Sequence, residues 1–150
     1  LTSCAGCYKT LLQDYEGLDV IHISELLAML INEGKLKFDK KDLNVTYHDS
    51  CHLGRHCRIF DEPRDVINSL ANLIEMKNNK DNSLCCGAGG GVKSAYPKIA
   101  SKLADARITQ AKDTGCKTLI TACPFCKLNL KDQDLEILDL TEFLIKYGVK

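Results

Sequence analysis

Three groups of cysteines, Cys51, Cys85-Cys86 and Cys123-Pro124-Phe125-Cys126, constrain this chain more than any other feature. They stand far apart in sequence, so only the fold can join them. A CxxC loop brings both of its sulfurs round to one point and so serves a single metal site. Adjacent cysteines are harder to use, because in an extended segment their side chains point to opposite faces. Convergence then needs a tight turn, which Gly87 directly after Cys86 can supply. One zinc ion takes four ligands in a tetrahedron, and neighbouring residues rarely fill two of its corners. Five thiolates would also be one too many. A cluster of several irons meets both conditions, since adjacent thiolates can serve different irons. An iron–sulfur cluster on Cys51, Cys85, Cys86, Cys123 and Cys126 is therefore the expectation, set against a zinc site or inert buried cysteines.

Composition bears on this choice. The chain of 150 residues carries nine cysteines, yet 45% of it is hydrophobic, enough for one ordinary core. A disulfide framework fits poorly, because the count is odd and no secretory signal is visible. The chain begins Leu1-Thr2-Ser3-Cys4 without an initiator Met, so it reads as a piece of something longer. Twenty basic and twenty acidic residues cancel, which gives no argument for nucleic acid. The longest apolar run, Leu26 to Ile31, is far shorter than the roughly 20 residues that span a bilayer.

The patterning predicts strands alternating with helices. A first helix runs from near Cys7 to Glu16, and a short strand lies at Val20–Ile23. Ser24 is expected to cap a helix with Leu26, Leu27 and Leu30 on one face, ended by Gly34. Leu43 to His48 reads as a strand leading into Asp49-Ser50-Cys51. A helix over 63–71 turns Val66, Ile67 and Leu70 inward, and a strand comes next at 73–76. After Gly91, a long helix is expected to bury Val92, Tyr96, Ile99, Leu103 and Ala106 and to stop at Gly115. Thr118 to Ala122 has the unbroken apolar character of a strand buried on both sides, and Pro124 can open a helix. A last strand and helix occupy 135–140 and 141–147. The fold class is α/β, a Rossmann-like parallel sheet flanked by helices. The cysteine groups would meet at the carboxyl ends of its strands.

Gly87-Ala88-Gly89-Gly90-Gly91 lacks the GxGxxG order and the Lys-Ser/Thr of a phosphate loop. The better use of Gly87, Gly89 and Gly90 is to bring backbone N–H groups up to a cluster, with a helix N-terminus behind them. Around Cys51, His52 is a candidate proton donor. Arg55 is a candidate anion partner, for a substrate carboxylate or phosphate or for Asp49. His48, His52 and His56 have a plainer reading as capping or backbone-bonded residues. Cys116 and Cys57 fall outside the spacing pattern and are expected to pack as core.

Tyr47 to Arg55, Cys85 to Gly91 and Thr121 to Cys126 together resemble the cysteine-rich CCG domain of heterodisulfide reductases, above all the methanogen-type catalytic iron–sulfur subunit. Related subunits of glycolate, lactate and glycerol-3-phosphate oxidoreductases and some archaeal succinate dehydrogenases share the pattern. The resemblance implies a noncubane [4Fe–4S] cluster on Cys51, Cys85, Cys86, Cys123 and Cys126, with zinc-loaded or apo forms conceivable for an isolated fragment. It implies cleavage of the coenzyme M–coenzyme B disulfide in methanogenesis, by one-electron steps. The alternative is an electron-transfer subunit that serves a 2-hydroxy acid or succinate oxidoreductase and passes electrons to quinone. Cytochrome b, a flavoprotein or a ferredoxin-type subunit are the implied partners. The implied location is cytoplasmic, or on the inner face of a membrane through such a partner. Members of the family usually carry two such domains. Residues 1–16 resemble the tail end of a preceding domain and 17–150 the second, so Cys4 and Cys7 would ligate another cluster.

Overall fold

The computed structural model describes residues 1–149, and within them four short parallel strands form one sheet flanked by helices. The strands are β1 (Asn44–His48), β2 (Asn72–Leu73), β3 (Thr118–Thr121) and β4 (Glu136–Asp139). Their spatial order is β2-β1-β3-β4, with Tyr47 beside Ile120 and Leu119 beside Ile137. Helix α1 (Ala5–Asp14) and helix α2 (Ile23–Asn32) precede the sheet, and α3 (Gly54–Cys57) and α4 (Asp61–Leu70) connect β1 to β2. The return to β3 runs through α5 (Val92–Ala95) and α6 (Pro97–Asp113), and α7 (Pro124–Asn129) and α8 (Leu140–Gly148) complete the chain. Strand β3 is buried along its whole length, as its unbroken apolar character requires. Val45, Val66, Ile67, Leu70, Leu119 and Ile120 form the fully buried centre of the core.

Connections leave β1 for one side and β3 for the other, so a topological switch point lies between these two strands. In open α/β sheets the ligand crevice forms outside the carboxyl ends at such a point. Cys51 lies just past the end of β1 and Cys123 just past the end of β3.

Local expectations needed correction in several places. Residues 20–23 form no strand; one parallel bridge, Thr2 to His22, is all that pairs there. His22, rather than Ser24, caps α2. Its imidazole accepts from the Ser24 N–H, and Glu25 reaches back to the His22 N–H in a capping box. The face of α2 that is buried carries Ser24 and Ala28, while Leu26, Leu27 and Leu30 are half-buried. The strand expected at 73–76 ends after Leu73.

The largest revision concerns the long helix. Pro97 restricts the residue before it to non-helical backbone, and Tyr96 at φ −137°, ψ 63° separates α5 from α6. The buried stripe of α6 is Ala100, Ala104, Arg107, Ile108 and Ala111; Tyr96 (61% exposed) and Ile99 (52%) face solvent. A single helical turn succeeds the glycines, so little macrodipole stands behind them.

Candidate metal centre

The end of β1 is fixed before any cysteine is reached. Buried Asp49 accepts from both terminal nitrogens of Arg64, at 2.7 and 2.9 Å, and from the Lys80 N–H at 2.9 Å. Arg64 also bonds Glu75 and the Phe60 carbonyl. Asp49 is thus already engaged, which rules out the expected Arg55–Asp49 alternative. Arg55 instead donates to the Ser83 carbonyl at 2.6 Å, and Ser83 Oγ donates to the Asp49 carbonyl. These bonds lash the segment leading to Cys85 against the loop carrying Cys51.

Gly87 makes the turn that adjacent cysteines require. It sits at φ +81°, and its N–H donates to Cys85 Sγ at 3.3 Å. A Cβ there would stand 2.6 Å from the Ala100 carbonyl oxygen, so only glycine fits. Cys86 interacts with Cys85 and also reaches the CxxC loop, its Sγ 3.3 Å from Cys126 Sγ, while Asn129 Nδ2 holds the Cys86 carbonyl at 2.6 Å. Cys51 interacts with Cys85, and Cys123 with Cys126, so all three cysteine groups meet.

Shared protons split the five thiols into two sets. Hydrogen bonds from Cys51 and Cys86 pull Cys85 down, and one from Cys126 pulls Cys123 down to about 5. The donors move the opposite way. Cys51 is raised by its bond to Cys85 and by burial, and Cys126 by its bonds to Cys123 and Cys86. Metal ligation by such thiols would release the protons they share.

Four of the five cysteines open onto a cavity of about 610 Å³, Cys85 lying outside its lining. Cys51, Cys86, Cys123 and Cys126 line it, as do Gly89 and Gly90. Cys4 and Cys7 stand on its wall as well, with Cys4 Sγ accepting from the Cys7 N–H at 3.4 Å. His52 is half-buried at the rim, close to Gly6 and Gly89, its ring 5.3 Å from that of exposed His56. Burial, then His56 and Lys9, lowers its pKa. Arg55 is absent from the lining, its guanidinium spent on the 81–83 carbonyls. Cys57 packs at the edge of the core, and Cys116 is buried at the start of β3, the end away from the cavity.

Arg107 escaped the sequence reading, and His48 entered it only as a capping or backbone-bonded histidine. Arg107 is fully buried and donates from Nε to His48 Nδ1 at 2.9 Å, and from Nη1 to the Asn78 carbonyl and Gln110 Oε1. Burial lowers the His48 pKa to about 3, and the neighbouring Arg107 charge adds to it. His48 Nε2 and Arg107 Nη2 are buried without a hydrogen-bond partner among the described residues. A ring nitrogen of His48 and the sulfurs of Cys86 and Cys126 lie within 4.8 Å of one another. Orphaned buried donors beside convergent sulfurs suit an anionic, sulfur-rich group. The findable signal was Arg107 itself, one charged residue at the spacing of an alanine stripe.

A family model described as the cysteine-rich CCG domain matches residues 45–131. One subunit of the dihydromethanophenazine:CoB–CoM heterodisulfide reductase of Methanosarcina acetivorans is 42% identical over 93% of the chain and 38% of its own length. One subunit of the fumarate reductase (CoM/CoB) of Methanothermobacter marburgensis is 39% identical over 96% of the chain and 31% of its own length. The EtfAB:quinone oxidoreductase of Syntrophomonas wolfei is 33% identical over 95% of the chain and 23% of its own length. The chain therefore spans well under half the length of these relatives.

Proposed function

This chain belongs to the cysteine-rich CCG domain family, and on that premise we propose that it is the cluster-binding domain of a heterodisulfide reductase-type iron–sulfur oxidoreductase. The observation that carries the reading is the meeting of Cys51, Cys85, Cys86, Cys123 and Cys126 outside the carboxyl ends of β1 and β3. These five would hold a noncubane [4Fe–4S] cluster, and five converging thiolates, two of them adjacent in sequence, agree with a group of several metals. When bound, such a group supplies one-electron chemistry at a disulfide.

The protein's own residues set the stage for that chemistry. Gly87 N–H polarises the Cys85 sulfur, and Gly89 and Gly90 line the cavity without adding side chains of their own. His52 lies at the cavity rim, and in this reading it would hand a proton to a departing thiolate. Arg55 serves by holding the Cys51 and Cys85 segments together rather than by meeting substrate. A cavity of about 610 Å³ is of the size that takes a small molecule, and we assign it the disulfide of coenzyme M and coenzyme B. Cys4 and Cys7, on the same wall, would ligate a second cluster completed by cysteines of a preceding domain. Electrons would come from a cytochrome b, flavoprotein or ferredoxin-type partner, with the protein cytoplasmic or held on the inner face of a membrane by that partner. No helix among the described residues is long and apolar enough to cross a membrane.

The match to an EtfAB:quinone oxidoreductase favours a second reading, an electron-transfer subunit with no disulfide substrate. Iron and acid-labile sulfide are measured on the anaerobically purified full-length protein, and one zinc without sulfide would sink both readings. Oxidised protein is then titrated with coenzyme M and followed by EPR. A new paramagnetic signal supports the reductase, and its complete absence from the iron-loaded complex supports the electron-transfer subunit.

A further inference from the structure

His48 ends β1 and is entirely enclosed, yet the cluster-binding reading gives it no task. Arg107 Nε always carries its hydrogen, so the 2.9 Å contact makes His48 Nδ1 the acceptor. The one proton of a neutral imidazole must then sit on Nε2. That N–H is buried and has no partner among the described residues, an arrangement that costs stability unless something accepts from it. The sulfurs of Cys86 and Cys126 are the polar atoms gathered with this ring, within 4.8 Å. Direct ligation would need a lone pair on Nε2, which the Arg107 contact denies. Among the described residues Arg107 is itself held by neutral acceptors, Asn78, Gln110 and His48, so its charge also lacks a directly bonded anion there.

Resting on the iron–sulfur reading, we propose that His48, locked by Arg107 as the Nε2–H tautomer, donates a hydrogen bond into the sulfur shell of the bound cluster at Cys86 and Cys126 and so raises its reduction potential. Donation to a cluster sulfur favours the more negative, reduced state, and the buried Arg107 charge behind the ring acts in the same direction. His48 is thus a tuning residue, delivered by the same strand whose continuation presents Cys51.

The test uses the full-length protein with its cluster, prepared anaerobically. His48→Leu is expected to keep its iron and sulfide, to shift the midpoint potential in EPR-monitored titration to more negative values, and to lose one exchangeable-proton coupling seen by ENDOR in H2O against D2O. His48→Gln, which still carries an N–H donor, should recover part of the shift. An unchanged potential and an unchanged proton coupling in iron-loaded His48→Leu would overturn the proposal, as would a directly bound nitrogen-15 coupling from labelled histidine in the wild type. If His48→Leu retains no iron, nitrogen-15 NMR of histidine-labelled metal-free wild type decides. A proton on Nε2 with Nδ1 bare upholds the proposal, and a proton on Nδ1 refutes it. Wild type that binds no iron and sulfide marks failure of the iron–sulfur reading itself, a separate result.

Discussion

Asp49 is closed on by Arg64 from α4 and by the Lys80 N–H from the loop beyond β2, and this one carboxylate sets where the Cys51 loop begins. Arg64→Met would leave a buried carboxylate with a single backbone donor, a loss of about 3–5 kcal/mol in urea denaturation. Iron content should fall with it, because the cysteine loop loses its anchor. Gly87→Ala meets both a positive φ and the Ala100 carbonyl; the φ alone costs about 1–2 kcal/mol. Its urea midpoint should drop accordingly, whereas Cys116→Ser, at the far end of β3, should leave iron content unchanged. His22 adds a pH dependence. Burial lowers its folded pKa below the ordinary histidine value, so on acidification the unfolded chain takes up the proton first. The stability His22 contributes is complete above about pH 6.5 and is lost as pH falls below it. Urea midpoints of metal-free protein at pH 7 and pH 5 should differ less in His22→Asn, which keeps a capping acceptor without the titration.

At the scale of elements, α6 carries the sharpest lesson. Its apolar residues suggested a continuous helix with Tyr96 and Ile99 inward, but the proline at 97 restarts the helix and rotates its buried face onto the alanines. Small residues there let α6 lie close, which is how Arg107 reaches the end of β1. Ala104→Leu should therefore cost about 1–3 kcal/mol by overpacking. Ile99→Ser, on the exposed side, should stay within about 0.5 kcal/mol. Chemical denaturation of the two variants separates the observed face from the one the sequence suggested. Helix α4 was legible, since Val66, Ile67 and Leu70 recur at helical spacing and no proline or glycine interrupts them. In α2 the helix was legible but neither its most buried face, Ser24 and Ala28, nor its cap was, because a histidine acting through its ring nitrogen lies outside the usual capping residues.

For the molecule as a whole, the sheet and the metal centre are held by different forces. Val45, Leu119, Ile120 and the inner faces of α4 and α8 exclude water regardless of what the cysteines bind. Removing the metal with a chelator under anaerobic conditions should lower Tm, since a ligand of the folded state alone stabilises it, while far-UV circular dichroism stays nearly constant. Loss of the whole dichroism signal would mean that the cysteines hold the sheet. By itself, the sequence determined the α/β class, because strand-like and helix-like patterns alternate along the chain. It also determined which cysteines had to be considered together, because a CxxC and an adjacent pair carry their chemistry in their spacing. Only the tertiary structure decided that Asp49 belongs to Arg64, that Arg55 clasps a loop, that Cys4 and Cys7 share a wall with Cys51, and that His48 is enclosed with a spare N–H. The physical reason is range. Spacing records what a residue's near neighbours impose, whereas a buried polar group takes its partner from whichever distant segment the packed sheet brings within hydrogen-bond reach.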